Sequence, residues 1–215
     1  MTYAVFMGML IPLIFLIILL KGENRKMMLF FTWGMVAFVL SLAASNVLAA
    51  RLQMSVFQLS VTWAPVIEEI LKSLPLLYFL FRRKNTEYPL VYFAMAAGIG
   101  FSIQENYLYL MSYTGLGGSV TFYMILRSIT ACLMHGVTTA VIGYGLTLIR
   151  KYEIMVAPLL FGLFSVVIIL HALFNLYINS SVKLIGMLIP VLLYIAGLVI
   201  LYLQKDPEPS GKEQG

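Results

Sequence analysis

Long apolar stretches, separated by short polar segments, run through the sequence almost from end to end. A membrane-spanning helix needs about 20 consecutive and mainly apolar residues, because the hydrocarbon core of a bilayer is about 30 Å thick. Stretches of that length cover residues 3–20, 27–49, 61–81, 89–111, 121–149, 154–177 and 183–203. We therefore predict an all-α membrane helix bundle of about seven transmembrane helices.

The ends of the chain suggest one domain followed by a tail. The first apolar stretch has no basic residue before it and no small-residue cleavage site after it, so we interpret it as a span rather than a signal peptide. Residues 205–215 are polar and rich in proline and glycine, which is typical of disorder. Residues 1–204 are predicted to form one integral membrane domain, because the loops between the apolar stretches are too short for a second one.

Composition agrees with a membrane protein. Hydrophobic residues make up 61% of the chain and charged residues 11%, whereas about 25% of residues are charged in soluble domains. The single cysteine, Cys132, excludes an internal disulfide and gives no information on the redox compartment.

The net charge of +5 could indicate nucleic acid binding, but the distribution of the basic residues favours another interpretation. Basic residues are concentrated in alternate connections, with Lys21, Arg25, Lys26, Arg82, Arg83, Lys84, Arg150, Lys151, Lys205 and Lys212 on one side and only Arg51 and Lys183 on the other. Cytoplasmic loops carry an excess of lysine and arginine. We predict a multi-pass protein of the cell membrane, with its N-terminus outside and its C-terminus in the cytoplasm, and no nucleic acid partner.

Charged residues interrupt the third predicted span, where Glu68, Glu69 and Lys72 occur in an otherwise apolar stretch. Each ionised residue near the middle of a membrane helix costs about 2.5 to 3.5 kcal/mol on insertion scales. At about 100° per residue the three side chains lie on one side of the helix. A structural ion pair is the simpler interpretation, but the second carboxylate has no second cation in this span.

The next three predicted spans also carry polar residues, at a depth similar to that of Glu68. They are Glu105 and Asn106 in the fourth span, Arg127 and His135 in the fifth, and His171 and Asn175 in the sixth. Arginine keeps its proton in proteins, so Arg127 is expected to pair with a glutamate. Asn106 is expected to make a hydrogen bond within the bundle, and Gly98 and Gly100 to allow close helix contact or a local break. The first two spans carry no ionisable residue and are predicted to be lipid-facing scaffold. The seventh carries none between Leu184 and Gln204 and is predicted to be scaffold as well.

This polar set has three acidic and two basic side chains and two imidazoles. One more positive charge is needed, which a shared proton, an imidazolium or a divalent metal would supply. Clustered carboxylates can act as general acids or bases, and two histidines with a glutamate match a catalytic zinc site. An amide or imidazole can stabilise an oxyanion. Activated water beside an oxyanion donor indicates hydrolysis, and peptide bonds of membrane proteins are the expected substrate.

The motifs Glu68-Glu69-x-x-Lys72, Phe101-x-x-x-Glu105-Asn106, Arg127 eight residues before His135, and His171-x-x-x-Asn175 follow one another in this order. In this region, residues 61–177, the chain resembles the PrsW family of intramembrane proteases, which is related to the type II CAAX prenyl-protease superfamily. The resemblance implies site-one cleavage of single-span substrates, such as anti-sigma factors, on the extracytoplasmic side.

The resemblance also implies roles for these residues. Glu68 and Glu69 would be the catalytic pair, and Glu105 and His135 would orient the water or a metal. His171 and Asn175 would stabilise the oxyanion or complete a ligand set of His135, His171 and Glu105 for a divalent metal such as zinc. Lys72, Asn106 and Arg127 would support them.

An aspartate is common in the family where Asn175 stands, and the loss of its charge weakens a metal shell. We therefore favour an oxyanion role for Asn175, and hydrolysis with weak metal dependence or none.

Three other functions fit parts of the pattern. A CAAX-type endoprotease would use the same chemistry on a lipidated C-terminus, with a site that opens toward the cytoplasm. A proton-coupled transporter would use the Glu and His residues as a relay and is expected to show inverted repeats, which the sequence lacks. A non-catalytic scaffold is expected to have lost some polar positions, whereas every motif position is occupied here.

Overall fold

The structure is a computed structural model that describes residue 11 and residues 13–81, 90–112, 118–152 and 155–203. All regular secondary structure in these ranges is helical, which confirms the predicted all-α class. After a helical segment at residues 13–19 come the helices α1 (Gly22–Leu52), α2 (Val56–Val61), α3 (Trp63–Phe81), α4 (Leu90–Ser112), α5 (Gly118–Tyr152), α6 (Val156–Ile178) and α7 (Lys183–Leu203). Most of the predicted span 3–20 and the whole tail 205–215 lie outside the described residues.

Each predicted span from residue 27 onward coincides with one helix, although the ends differ by up to five residues. By length and composition, four helices within the described ranges can cross a membrane: α1, α6, and the segments Thr121–Ile149 of α5 and Lys183–Ile200 of α7. Helices α3 and α4 have 19 and 23 residues, which is long enough, but they carry most of the charged and amide side chains of the motifs. Helices α3 and α4 are therefore not among these four.

Helix α2 is a short element that reverses the chain between α1 and α3. Gln53 ends α1 in the left-handed region, with φ at 52°. The Ser55 hydroxyl then accepts a hydrogen bond from the Gln58 backbone N–H, while the Gln58 side chain accepts one from the Ser55 backbone N–H. This capping box satisfies two backbone donors that a helix start leaves free. Helix α2 contacts both α3 and α6.

Glycines bring α1, α4 and α5 into close contact. A Cβ atom added at Gly98 would overlap the carbonyl oxygen of His135 on α5, and one added at Gly100 would overlap the carbonyl oxygen of Phe31 on α1. The close contact predicted for Gly98 and Gly100 is therefore confirmed. It places α4 between α1 and α5 and brings the middle of α4 next to His135.

The core has an apolar end and a polar end. Phe30, Leu76, Phe93, Ile142 and Leu146 are buried together where α1 and α4 begin and α3 and α5 end. The charged motif residues lie in the opposite halves of α3, α4 and α5. The apolar end holds the helices together, and the polar side chains meet at the other end.

Candidate active site

Glu69 is the centre of the polar cluster and is fully buried. Its Oε1 accepts hydrogen bonds from Lys72 Nζ at 2.8 Å and Thr138 Oγ1 at 3.1 Å, and it lies 2.8 Å from His171 Nδ1. Lys72 has no exposed side-chain surface either. An ion pair buried in this way is stable only when hydrogen bonds compensate the loss of hydration. One carboxylate oxygen therefore ties α3 to α5 and α6.

The contacts of Lys72 fix the tautomer of His135. An ammonium group only donates hydrogen bonds, so His135 Nδ1, at 3.1 Å from Lys72 Nζ, must be the acceptor. The proton of a neutral ring is then on Nε2, which donates to Glu105 Oε2 at 3.0 Å. The His135 ring also packs on Phe101 and on the His171 ring, with 4.9 Å between ring centres in each case.

Arg127 holds Glu105 from the other side. Its guanidinium forms an ion pair with Glu105 at 3.5 Å and donates a hydrogen bond to Asn106 Oδ1 at 3.0 Å. The guanidinium also lies 3.3 Å from the ring centre of Tyr109, a cation–π contact. The Asn106 amide in turn donates to the Ser128 carbonyl at 3.4 Å. The expected pairing of Arg127 with a glutamate and the expected bundle hydrogen bond of Asn106 are both confirmed.

Glu68 and His171 face each other without a hydrogen bond between them. His171 Nδ1 must donate to the Glu69 carboxylate, so the other nitrogen, Nε2, carries a lone pair when the ring is neutral. That nitrogen lies 3.6 Å from Glu68 Oε2, which is buried and has no hydrogen-bond partner among the described residues. Two acceptors in this position repel each other unless a proton or a metal ion lies between them.

The charges of the cluster agree with this conclusion. Three carboxylates, Glu68, Glu69 and Glu105, meet two cations, Lys72 and Arg127, so one positive charge is missing when both imidazoles are neutral. The unpaired acceptors of Glu68 and His171 mark the place where that charge belongs.

The donor atoms suit a metal ion. Three possible ligand atoms lie within 4.8 Å of one another, a carboxylate oxygen of Glu68 and one ring nitrogen each of His135 and His171. Two imidazoles and a carboxylate with a remaining open position are the usual donor set of a catalytic zinc site. Glu69 behind His171 also matches the carboxylate that commonly orients a metal-binding histidine. The donor set predicted from the sequence contained Glu105 instead of Glu68. In the structure Glu105 is turned toward Arg127 and His135, and Glu68 takes its place.

A cavity of about 360 Å³ opens beside this cluster and is lined by both Glu68 and Glu105. Its opposite wall is α1, which contributes the polar residues Ser41, Ser45 and Asn46. The prediction that α1 is lipid-facing scaffold is therefore wrong for this face. The polar spacing at positions 41, 45 and 46 was the signal in the sequence, since the first two of these positions lie one helical turn apart.

The Asn175 side chain makes its hydrogen bond to α2. Its Nδ2 donates to the backbone carbonyl of Ser60, at the end of α2, with a distance of 2.8 Å. Ser60 itself lines the cavity. Asn175 therefore connects α6 to α2 at the rim of the cavity, and one of its two amide protons is used for that connection.

Two residues of the cluster were missed by sequence reasoning. Thr138 lies three residues after His135 and so on a neighbouring face of α5, and its hydroxyl bonds Glu69. Tyr109 lies four residues after Glu105, and its ring covers Arg127. A threonine or a tyrosine within an apolar helix is too common to be singled out without the structure.

Comparison with known proteins places these observations in context. The family described as PrsW family intramembrane metalloprotease matches residues 23–203, which includes every helix from α1 to α7. No curated protein and no solved structure matches the chain. The family description points to a peptidase rather than a transporter, and to metal-dependent rather than metal-free hydrolysis.

Proposed function

The chain belongs to the PrsW family of intramembrane metalloproteases, and from this premise we propose that it cleaves a single-span membrane protein near the extracytoplasmic face of the cell membrane. The cleavage is of the site-one type, and an anti-sigma factor is the substrate class that the family resemblance implies. Support comes from one cavity that presents two glutamates beside two histidines at the polar end of the bundle.

The proposed architecture is a single domain, residues 1–204, with seven transmembrane helices. The N-terminus lies outside and the C-terminal tail in the cytoplasm, an orientation supported by the distribution of lysine and arginine. In this orientation α3 enters the membrane from the outside, so Glu68 and Glu69 lie in the outer half of the bilayer. A substrate would therefore be cut close to its extracytoplasmic end.

The observation that carries the proposed chemistry is the pair of unshared acceptors on Glu68 and His171, 3.6 Å apart. We assign Glu68, His135 and His171 as the ligands of a divalent metal, with zinc as the first choice. His135 would bind through Nε2, which requires that its proton moves from Nε2 to Nδ1 and that Lys72 then bonds to Glu69 alone. When bound there, such an ion supplies a Lewis acid that activates water and polarises a carbonyl group.

The remaining residues act on protons and on orientation. Glu105 lines the cavity and is outside the donor group, so it is the carboxylate that accepts the proton of the attacking water. The water oxygen bonds the scissile carbonyl carbon, the carbon–nitrogen bond breaks, and Glu105 returns the proton to the leaving amine. Arg127 positions Glu105. Glu69 and Lys72 position His171 and His135 from within the protein, and Asn175 has a second amide proton for the oxyanion.

Cleavage of single-span reporter proteins by the purified protein in liposomes tests this proposal. We expect cleavage near the outer face by the wild type, and a loss of about 100- to 10,000-fold in rate for Glu105→Gln, Glu68→Gln and His171→Ala. Glu23→Gln is the matched control, because Glu23 pairs with Lys26 at the start of α1 and lies outside the cluster. Full activity in the cluster variants would contradict the assignment.

Metal content distinguishes the proposed role of Glu68, a metal ligand, from that of Glu105, a general base. After chelation and reconstitution with zinc, we expect the wild type and Glu105→Gln to retain one equivalent of metal, and Glu68→Gln and His171→Ala to retain much less. Equal metal content in Glu68→Gln and the wild type would exclude Glu68 as a ligand. Undiminished cleavage by chelated, metal-free protein would remove the metal from the mechanism.

A further inference from the structure

The wall of the cavity opposite the glutamates is formed by α1, and it carries polar side chains that no other part of the protein uses. Ser45 is 6% exposed and Asn46 is exposed, and both line the same cavity as Glu68 and Glu105. Neither side chain has a hydrogen-bond partner among the residues that the structure describes. Ser41, one turn away, donates its hydroxyl to the Phe38 carbonyl of its own helix, so its donor is occupied.

An unpartnered hydroxyl and an unpartnered amide are unfavourable at membrane depth. Such a group costs several kcal/mol wherever neither water nor protein reaches it, so polar side chains without a protein partner are rare in membrane helices. The neighbouring serine shows the usual solution, which is a bond to the helix backbone. Ser45 and Asn46 instead remain free and open into the cavity, so they are placed to bind something that enters it.

The occupant follows from the chemistry of the adjacent glutamates. A peptide bond within a regular helix has its carbonyl group hydrogen-bonded and surrounded by side chains, so the segment to be cleaved must be unwound. Unwinding frees N–H and C=O groups, and within the membrane these need partners from the protein. A primary amide offers a donor and an acceptor together, and so does a hydroxyl. The residues that α1 contributes to the cavity carry no charge, which fits a neutral peptide backbone better than a charged side chain.

We propose that Ser45 and Asn46 form a subsite that binds the unwound backbone of the substrate beside the scissile bond. This proposal rests on the proposed function, since it deepens the same site. Helix α1 then holds the peptide from one side while the glutamates and histidines act from the other. Because the subsite recognises main-chain groups, it accepts segments of different sequence, provided that they unwind.

Steady-state kinetics with a synthetic single-span peptide in nanodiscs gives the first test. Because a backbone hydrogen bond is present both in the bound substrate and in the transition state, its loss raises KM and leaves kcat unchanged. We expect Asn46→Ala and Ser45→Ala each to raise KM by about 3- to 10-fold, the effect of one hydrogen bond. Asn46→Gln keeps the amide and should lie between Asn46→Ala and the wild type. Asn179→Ala, an exposed asparagine outside the cavity, is the control and should match the wild type.

Binding to the inactive Glu105→Gln variant tests the subsite without catalysis. In a series of peptides, each carries one backbone ester in place of an amide and therefore lacks one N–H donor. At one or two positions near the cleavage site, the ester should weaken binding by about 3- to 10-fold. The ester that removes the N–H bound by Asn46 should not weaken binding any more in Glu105→Gln/Asn46→Ala, because that variant already lacks the hydrogen bond to this N–H.

The outcomes separate the two proposals. If the wild type cleaves but the Ser45 and Asn46 variants have unchanged KM and the ester effects persist without Asn46, the subsite is wrong and the protease assignment stands. If no peptide is cleaved, yet binding depends on Asn46 and on one backbone N–H, the proposed cleavage falls, and what stands is a backbone-binding site without a scissile bond. If neither cleavage nor Asn46-dependent binding occurs, both fall.

Discussion

Lys72 has unusual surroundings for a lysine. It is fully buried, and its ammonium group contacts a carboxylate, an imidazole and the face of Phe101, whose ring centre is 5.1 Å away. These contacts replace the water that a lysine side chain normally keeps. They also place the proton of a neutral His135 ring on the nitrogen that faces Glu105.

Removal of the Lys72 charge should therefore destabilise the protein. Lys72→Met leaves the Glu69 carboxylate buried beside an uncharged side chain, and breaking a buried ion pair from one side costs about 3 to 5 kcal/mol. The double variant Lys72→Met/Glu69→Gln removes both charges and should recover a large part of that loss. The measurement is the free energy of unfolding by denaturant in mixed micelles. A double variant as unstable as the sum of the two single variants would show that the two charges act independently.

For single residues, the sequence predicts which side chains belong to the site but few of the contacts that they make. Arg127 was predicted to pair with a glutamate because it cannot lose its proton, and it contacts Glu105. The choice of Glu68 over Glu105 as the carboxylate that faces His171 depends on how four helices pack against one another. Helical spacing alone cannot supply that packing. The prediction that Glu69 acts as one of a catalytic pair stays a prediction, and its complete burial suits positioning better.

Among the helices, α4 determines the geometry of the site because it packs tightly on two neighbours at once. Gly98 lies against the backbone of α5 at His135 itself, and Gly100 lies against α1. Any side chain at Gly98 would push α5 away and change the distance between His135 and Glu105. The position of the imidazole is thus set by a glycine on another helix.

Gly98→Ala should consequently impair both stability and activity. The added methyl group meets the His135 carbonyl, and overpacking of this kind costs about 1 to 3 kcal/mol. Gly162→Ala is the matched control, because nothing lies within 4 Å of a Cβ atom at that position of α6. Thermal unfolding and reporter cleavage should both change in Gly98→Ala and neither in Gly162→Ala. Normal cleavage by Gly98→Ala would show that α4 and α5 can separate without harm to the site.

The helices themselves were largely predictable from the apolar stretches, and close contact at Gly98 and Gly100 was predicted from the glycines alone. The role of α1 was not predicted, because a span without ionisable residues, such as residues 27–49, resembles any lipid-facing helix. The uncharged polar residues Ser41, Ser45 and Asn46 distinguish α1, and their role depends on which residues lie across the cavity from them. Those neighbours are set by the packing of the whole bundle, which cannot be derived from a single sequence.

For the molecule as a whole, the side of the membrane on which the cavity opens decides which substrates it can reach. The basic residues predict an external N-terminus and a cytoplasmic tail. A reporter that is active only in the cytoplasm, fused after residue 204, should therefore be active, and one that requires export should be silent at the same point. Activity of the export-dependent reporter alone would indicate that the cavity opens toward the cytoplasm, and it would favour a CAAX-type substrate.

The burial of Glu69 has a consequence for biogenesis. Its partners Thr138 and His171 follow it by 69 and 102 residues, so they leave the ribosome long after α3 does. Until they arrive, α3 carries two carboxylates and an ammonium group with little compensation, and lipid is a poor solvent for it. We expect α3 to remain in the translocon or beside a membrane chaperone until α5 and α6 have been synthesised. The nascent chain would then gain its final topology and its hydrolytic centre in the same late step, which protects neighbouring membrane proteins from a half-assembled protease.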